Sequence, residues 1–195
     1  MKRIWKAAGL VALAAWTASA GRGAQNPKVL LATELGDIAL EICLDKAPVT
    51  AANFLRYVDA GRYDGSVFHR TVRLDNQPTS TVKIEVIQGG QLPAAKEFPP
   101  IPLERTSVTG IKHLDGVVSM ARSGPDTAAS SFFICLNDQP ELDFGGKRNA
   151  DGQGFAAFGR VVAGMDVVRK IQKQPADGQT LKPPVRILSA RRIEK

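Results

Sequence analysis

The sequence predicts an all-β domain, a barrel capped by two helices. Many short strand-like runs are spread along the chain, only two stretches carry helical apolar spacing, and those two lie far apart. Strands alternating regularly with helices would indicate parallel βαβ units. This order indicates an antiparallel barrel instead.

Residues 29–33 and 37–44 read as strands around a Leu35-Gly36-Asp37 turn, from glycine chemistry and β-branched content. Residues 48–60 read as a helix. Pro48 suits its first turn, Ala51, Phe54, Leu55 and Val58 form one apolar stripe, and Gly61 is placed to end it. Residues 66–72 and 81–87 alternate like strands, whereas 96–103 holds three prolines and reads as irregular. Residues 116–121, 132–136 and 155–162 are further strands. Residues 164–174 form the second helix, with Asp166 near its positive end and Lys170 and Lys173 near its negative end. Residues 185–190 close the domain as a last strand.

Lys2, Arg3 and Lys6 precede a short apolar run, residues 7–16, and Ala18-Ser19-Ala20 offers the small residues a signal peptidase reads. That is the architecture of a secretory signal peptide. The run is well short of the roughly 20 residues that span a bilayer. Residues 1–20 are therefore expected to be a cleaved signal peptide, 21–27 a linker and 28–195 a single domain. The mature protein is expected in the periplasm or secreted, with no stable membrane span. A composition of 44% hydrophobic and 23% charged residues is that of a globular chain and excludes a disordered one.

The formal net charge is +7, partly from the leader, and the remaining basic residues are scattered apart from Arg191-Arg192. No basic-and-aromatic stripe points to nucleic acid, and a monomer is expected. Cys43 and Cys135 each lie in an apolar, strand-like context and are expected as separate thiols, although an exported protein could also join them. No Cys/His cluster has metal-ligand spacing, so no metal or cofactor is expected. His69 reads as a structural hydrogen-bonding residue, and His113, near a turn, as exposed.

The richest stretch for function is residues 119–135, where a loop of small and polar residues runs into Phe132-Phe133-Ile134-Cys135. Strand side chains alternate faces, so Phe132 and Ile134 point one way and Ser131 and Phe133 the other. One core needs one face, which makes Phe133 a candidate floor for an apolar surface pocket. On this segment alone, a strand buried on both faces reads the same way.

Two upstream segments bear on the choice: Phe68-His69-Arg70 and Gln88-Gly89-Gly90. With the Phe-Phe strand, in this order, they resemble the cyclophilins, a family of peptidyl-prolyl cis/trans isomerases. The flanking text is similar too. Residues 33–42 look like the family's opening hairpin, 47–54 like the start of its first helix, and 158–168 like the strand and turn into its last helix. The resemblance covers roughly residues 28–193. It implies a cyclophilin-like fold, a closed antiparallel eight-stranded barrel capped by helices.

Isomerisation rotates a peptide bond that precedes proline. The barrier is about 18–20 kcal/mol, and uncatalysed rotation takes on the order of tens to hundreds of seconds. No bond to a heavy atom is made or broken, so no nucleophile, metal or titrating base is required. A donor aimed at the prolyl nitrogen, an apolar slot for the ring and groups that hold the flanking backbone would lower the barrier. Arg70, with its planar fork of donors, suits the first role. The resemblance implies that Arg70 is catalytic, that Gln88 orients it and contacts substrate backbone, and that Phe133 lines the proline pocket. It likewise implies that Ala121 contacts the residue before proline and that Leu142 forms another pocket wall.

Several positions depart from the family pattern. About ten extra residues separate Phe68-His69-Arg70 from Gln88, and Glu85-Val86 stand where Phe-Met is usual. Val86 is thus a shorter candidate wall. Arg122 replaces an asparagine, Ser131 a glutamine and Glu141 an aromatic residue, and Phe155 takes the place of a pocket histidine. Residues 145–154 are a second insertion. Glu85 and Glu141 are expected near the groove, favouring basic residues beside the X-Pro bond.

The leading reading is an exported peptidyl-prolyl isomerase acting on proline-containing polypeptides. The alternative is a cyclophilin-fold peptide-binding or chaperone protein with weak catalysis, motivated by the altered wall. Retention of Arg70 with Gln88 and Phe133 discriminates between them, because a pure binding module has no need of that arginine. A lipocalin-like small-molecule carrier fails on the motifs.

Overall fold

A computed structural model describes residues 25–193. The expected signal peptide and residues 21–24 of the expected linker lie outside the described residues. In chain order the elements are β1 (Lys28–Thr33), β2 (Gly36–Ile42), α1 (Pro48–Asp59), β3 (Val67–Val72), β4 (Val86–Gly89), α2 (Thr106–Thr109), β5 (Val117–Met120), β6 (Phe132–Cys135), β7 (Ala156–Ala163), α3 (Met165–Gln172), β8 (Ala176–Asp177) and β9 (Thr180–Ile193). Eight strands close into an antiparallel barrel in the order β1-β2-β7-β5-β6-β4-β3-β9, with β9 returning to β1. The two-residue β8 pairs only with β9. The predicted fold class holds.

The barrel is filled from alternate strand positions and from the apolar faces of the helices. Phe54 of α1 meets Phe132 edge to face at 5.4 Å between ring centroids and lies 5.0 Å from Phe158. Tyr63 and Phe68 extend the same cluster around Phe132. Val167, Val168 and Ile171 of α3 join this core. Of the four residues predicted to face inward on α1, all four are buried. No side chain of Ala47 caps this helix; the Glu104 carboxylate accepts from the Val49 and Thr50 N–H groups at 3.1 and 2.7 Å. A negative group at a helix N-terminus also meets the positive end of the dipole. The far end closes by paired bonds from Gly61 N–H to Val58 O and Arg62 N–H to Tyr57 O, the Schellman arrangement.

The structure departs from the expected elements in four places. A third helix, α2, is a single turn of Thr-Ser-Val-Thr, too short and too polar to show an apolar stripe. The expected strand at 81–87 begins only at Val86. The Gln77 amide takes the place of a neighbouring strand: it donates to Ile84 O at 2.8 Å and accepts from Ile84 N–H at 3.2 Å. The last strand is much longer than residues 185–190 and runs through Pro183 and Pro184. Its pairing with β3 jumps from Val185 to Thr180, so neither proline has to donate to that ladder. The fourth is β8, two residues long, which carries no strand pattern in the sequence. Cys43 and Cys135 are both free thiols. No helix among the described residues is long and apolar enough to cross a membrane.

Candidate active site

A β-bulge sets up the site. Phe68 and Arg70 are two apart and would share a face on a regular strand. The register of β3 shifts between them against both β4 and β9. Phe68 therefore enters the core, fully buried, while Arg70 turns outward. From there one row of register partners crosses neighbouring strands. Arg70 faces Gln88, Gln88 faces Phe133, and Phe133 faces Ser119. Phe132 and Ile134 belong to the barrel core, and Phe133 belongs to a separate outer cluster with Val72, Ile84, Val86, Cys135 and Leu142. The two phenylalanines do face opposite ways.

Gly89 and Gly90 follow Gln88 for a steric reason. A Cβ on Gly89 would sit 2.7 Å from the Phe68 ring, and one on Gly90 would sit 2.5 Å from the Phe132 ring. Gly90 also has φ +69°, which disfavours any side chain. Only glycine lets both core aromatics press against the strand that presents Gln88.

A pocket of about 210 Å³ opens on the outer face. It is lined by Arg70, Val86, Gln88, Ala121, Arg122, Phe133, Leu142 and Phe155, all named from the sequence. Ser131 lines the adjoining polar cleft. Its hydroxyl accepts from Gln88 Nε2 at 3.1 Å. Three lining residues escaped the sequence reading: Ile84, Arg148 and Asn149. They come from the two insertions, whose presence is legible and whose path is not.

Arg70 is held on two sides. Nη1 donates to Gln88 Oε1 at 2.8 Å, while Nε and Nη2 both donate to Gln179 Oε1, at 2.9 and 2.6 Å. Gln179 was not foreseen, because the turn between β8 and β9 carries no motif. Burial and the nearby Arg148 charge hold the Arg70 pKa below its ordinary value, yet a guanidinium remains charged.

Phe133 is supported from below and from the side. Phe155 meets it edge to face at 5.3 Å, and His113 stacks on it at 6.0 Å with 16° between planes. The expectation that His113 is exposed fails: it is 1% exposed. Its Nδ1 lies 2.8 Å from Asp143 Oδ1 and its Nε2 lies 3.0 Å from Ser119 Oγ. With the proton on Nδ1, the ring donates to Asp143 and accepts from the Ser119 hydroxyl. Burial pushes the Asp143 carboxyl up, but the bonds from His113 and the charge of Lys112 outweigh it and leave the pKa below the usual value. This acid, imidazole and hydroxyl have the connectivity of a hydrolase triad, but Ser119 is fully buried and cannot meet a substrate.

At His69, burial and the neighbouring Arg70 charge lower the pKa, against a hydrogen bond with the Val67 backbone that raises it. Its Nδ1 is buried without a hydrogen-bond partner.

The expected acidic wall is absent. Glu85 turns to Asn137 Nδ2 and Gln172 Nε2, and Glu141 accepts from Lys147 N–H. Neither carboxylate lines the pocket. Arg122 does line it, but its donors are engaged: Nη1 and Nη2 bind Asp151 at 2.7 and 2.9 Å, and Nε donates to Gly154 O. The Asp151 carboxyl is drawn down to about 2 by that pairing. Arg122 thus ties the 145–154 segment to the site.

Comparison with known proteins follows the same outline. Residues 28–192 match the family model described as cyclophilin type peptidyl-prolyl cis-trans isomerase/CLD. A peptidyl-prolyl cis-trans isomerase of Acinetobacter baylyi is 34% identical over 84% of this chain and 84% of its own length. Peptidyl-prolyl cis-trans isomerase A of Dickeya dadantii is 36% identical, over 86% of this chain and 85% of that protein. A crystal structure of a Cryptosporidium parvum cyclophilin type isomerase superposes with a TM-score of 0.70 at 21% identity, over 87% of this chain and 99% of the other. On barrel, motifs and relatives together, the chain belongs to the cyclophilin-type family of peptidyl-prolyl cis-trans isomerases.

Proposed function

We propose that this isomerase works at the Arg70 pocket, as a monomer, on proline-containing polypeptides in the periplasm or outside the cell. The carrying observation is Arg70 anchored by two amide oxygens beside an apolar slot. Amide acceptors orient the guanidinium without neutralising it. Each Nη keeps a second N–H for the substrate. The slot of Val86, Phe133, Leu142 and Phe155 fits a pyrrolidine ring, and Gln88 and Ala121 flank it where the adjoining backbone would run.

In the ground state the prolyl nitrogen shares its lone pair with the carbonyl and accepts poorly. In the twisted state the lone pair is localised, and a fixed N–H donor binds it better. That difference in binding lowers the barrier. No proton is transferred and no side chain has to titrate. A solved relative was crystallised in the presence of the dipeptide Ala-Pro, which supports a proline-containing ligand for this fold. The basic, apolar and small-residue succession of residues 1–20 supports export.

The test is isomerisation of short X-Pro peptides followed by NMR exchange, with the purified protein and its Arg70→Ala variant. The variant is expected to lose about 10²-fold in kcat/KM, equivalent to about 2.7 kcal/mol. A loss of less than twofold in a folded variant would remove Arg70 from the mechanism.

A further inference from the structure

The two insertions meet beside the pocket through one side chain. Arg148, from the 145–154 segment, donates from Nη1 to Gln77 Oε1, Ser80 Oγ and Val82 O at 3.1, 2.8 and 2.6 Å. All three acceptors belong to the 73–85 loop and all are neutral. Nε and Nη2 of Arg148 find no protein acceptor among the described residues. Next to it, Asn149 Nδ2 is buried and has no hydrogen-bond partner, and both residues line the pocket.

The charge around the pocket is one-sided. Its lining holds Arg70, Arg122 and Arg148 and no carboxylate. Asp151 neutralises Arg122. Arg70 and Arg148 bind only uncharged amides, a hydroxyl and a carbonyl. Burial holds the pKa of each below its ordinary value. Arg70 is absorbed by the reaction. Arg148 and the unpaired Asn149 donor are not.

We propose that Arg148 and Asn149 form a specificity site for a carboxylate side chain next to the substrate proline. The proposal deepens the function given above and rests on it. An acidic side chain would supply the acceptor that Asn149 lacks and the counter-charge that Arg148 lacks. The opposite flank of the groove runs over a polar cleft that carries Glu97, so an acid is favoured on one side of the proline and not on both.

The experiment measures kcat/KM by protease-free NMR exchange for peptides bearing Glu, Gln or Lys immediately before or immediately after the proline. At low ionic strength, Glu at one of the two positions is expected to exceed Gln roughly two- to fivefold, the range of a partly exposed ion pair. Lys there is expected to fall below Gln. At about 1 M salt, where the Debye length is near 3 Å, the Glu/Gln ratio is expected to approach one. In Arg148→Gln the ratio is expected near one at every salt concentration, and Arg148→Lys is expected to keep part of it. The ratio is internal to each variant, so a general loss from a loosened 73–85 loop does not imitate the effect. The salt series on the unsubstituted protein needs no variant at all. Turnover of the Gln peptides with no gain from Glu at either position overturns this inference alone. Absence of catalysis with every peptide overturns the functional reading and the inference with it.

Discussion

Arg70 and Gln179 are 109 residues apart, and a single oxygen of the glutamine accepts from both Nε and Nη2 of the arginine, at 2.9 and 2.6 Å. Gln179 is itself fixed, since its Nε2 donates to Asn76 O at 3.2 Å. The β3–β4 connection, residues 73–85, and the β8–β9 turn thereby set the angle at which the guanidinium faces the pocket.

Gln179→Ala is expected to lower kcat/KM about three- to tenfold, mostly in kcat, with little change in Tm. The loss reflects an arginine free to leave its productive orientation, and poor positioning alone reduces rates. Gln179→Glu keeps an acceptor for Nε and Nη2 and is expected to retain more activity than the alanine variant. Equal activity in Gln179→Ala and the parent would show that Gln88 alone suffices to aim Arg70.

Phe132 and Phe133 separate stability from catalysis. Phe132 is enclosed by Phe54, Tyr63 and Phe68. Phe132→Ala is expected to cost about 3–5 kcal/mol in urea unfolding. Phe133 borders an existing pocket, so the space left by Phe133→Ala joins that pocket rather than forming a closed void. A smaller stability loss is expected, together with at least a tenfold fall in kcat/KM. Unfolding of both variants, with no selective loss of proline binding, would mean that both faces of β6 are simply core.

Most strand positions were legible because they rest on short-range rules, whereas the pocket walls Ala121, Leu142, Val86 and Phe155 came from the resemblance to the family. Strand alternation puts Phe132 and Phe133 on opposite faces, but both are buried, and it took the upstream segments to mark the Phe133 face as the pocket. What stayed hidden depends on where long connections travel. Thr81 to Glu85 alternates like a strand, but the Gln77 side chain captures Ile84 and pulls the segment out of the ladder. Glu85 and Glu141 sit beside pocket residues in sequence, yet neighbours on adjacent backbone point elsewhere. His113 looks like a loop residue until Asp143 and Ser119 arrive from elsewhere to bury it.

Export makes a separate prediction. With export as proposed, the Lys2, Arg3 and Lys6 region and the Ala18-Ser19-Ala20 site predict a mature terminus near Gly21. Mass spectrometry of the periplasmic or extracellular fraction is expected to find a chain that begins there. A chain retaining Met1 in that fraction would refute cleavage.

The Asp143–His113 pair gives stability a pH signature. The Asp143 carboxyl is held below its ordinary pKa in the folded protein, whereas in the unfolded chain it titrates near 3.9. The folded state therefore binds this proton less readily than the unfolded state. The resulting stabilisation is fully present above the unfolded pKa and is lost as pH falls through the folded one. Asp143→Asn is expected to lower unfolding free energy at pH 7 by on the order of 1.5–3 kcal/mol, the range for a hydrogen bond to a charged group. The gap between variant and parent should narrow below about pH 4. Because His113 stacks on Phe133, the same variant is expected to lose activity at pH 7 through a less firmly backed pocket floor. Urea titrations of both proteins from pH 7 down to pH 3 decide the point. A gap that stays constant over that range would show that the loss comes from packing and not from the carboxylate charge.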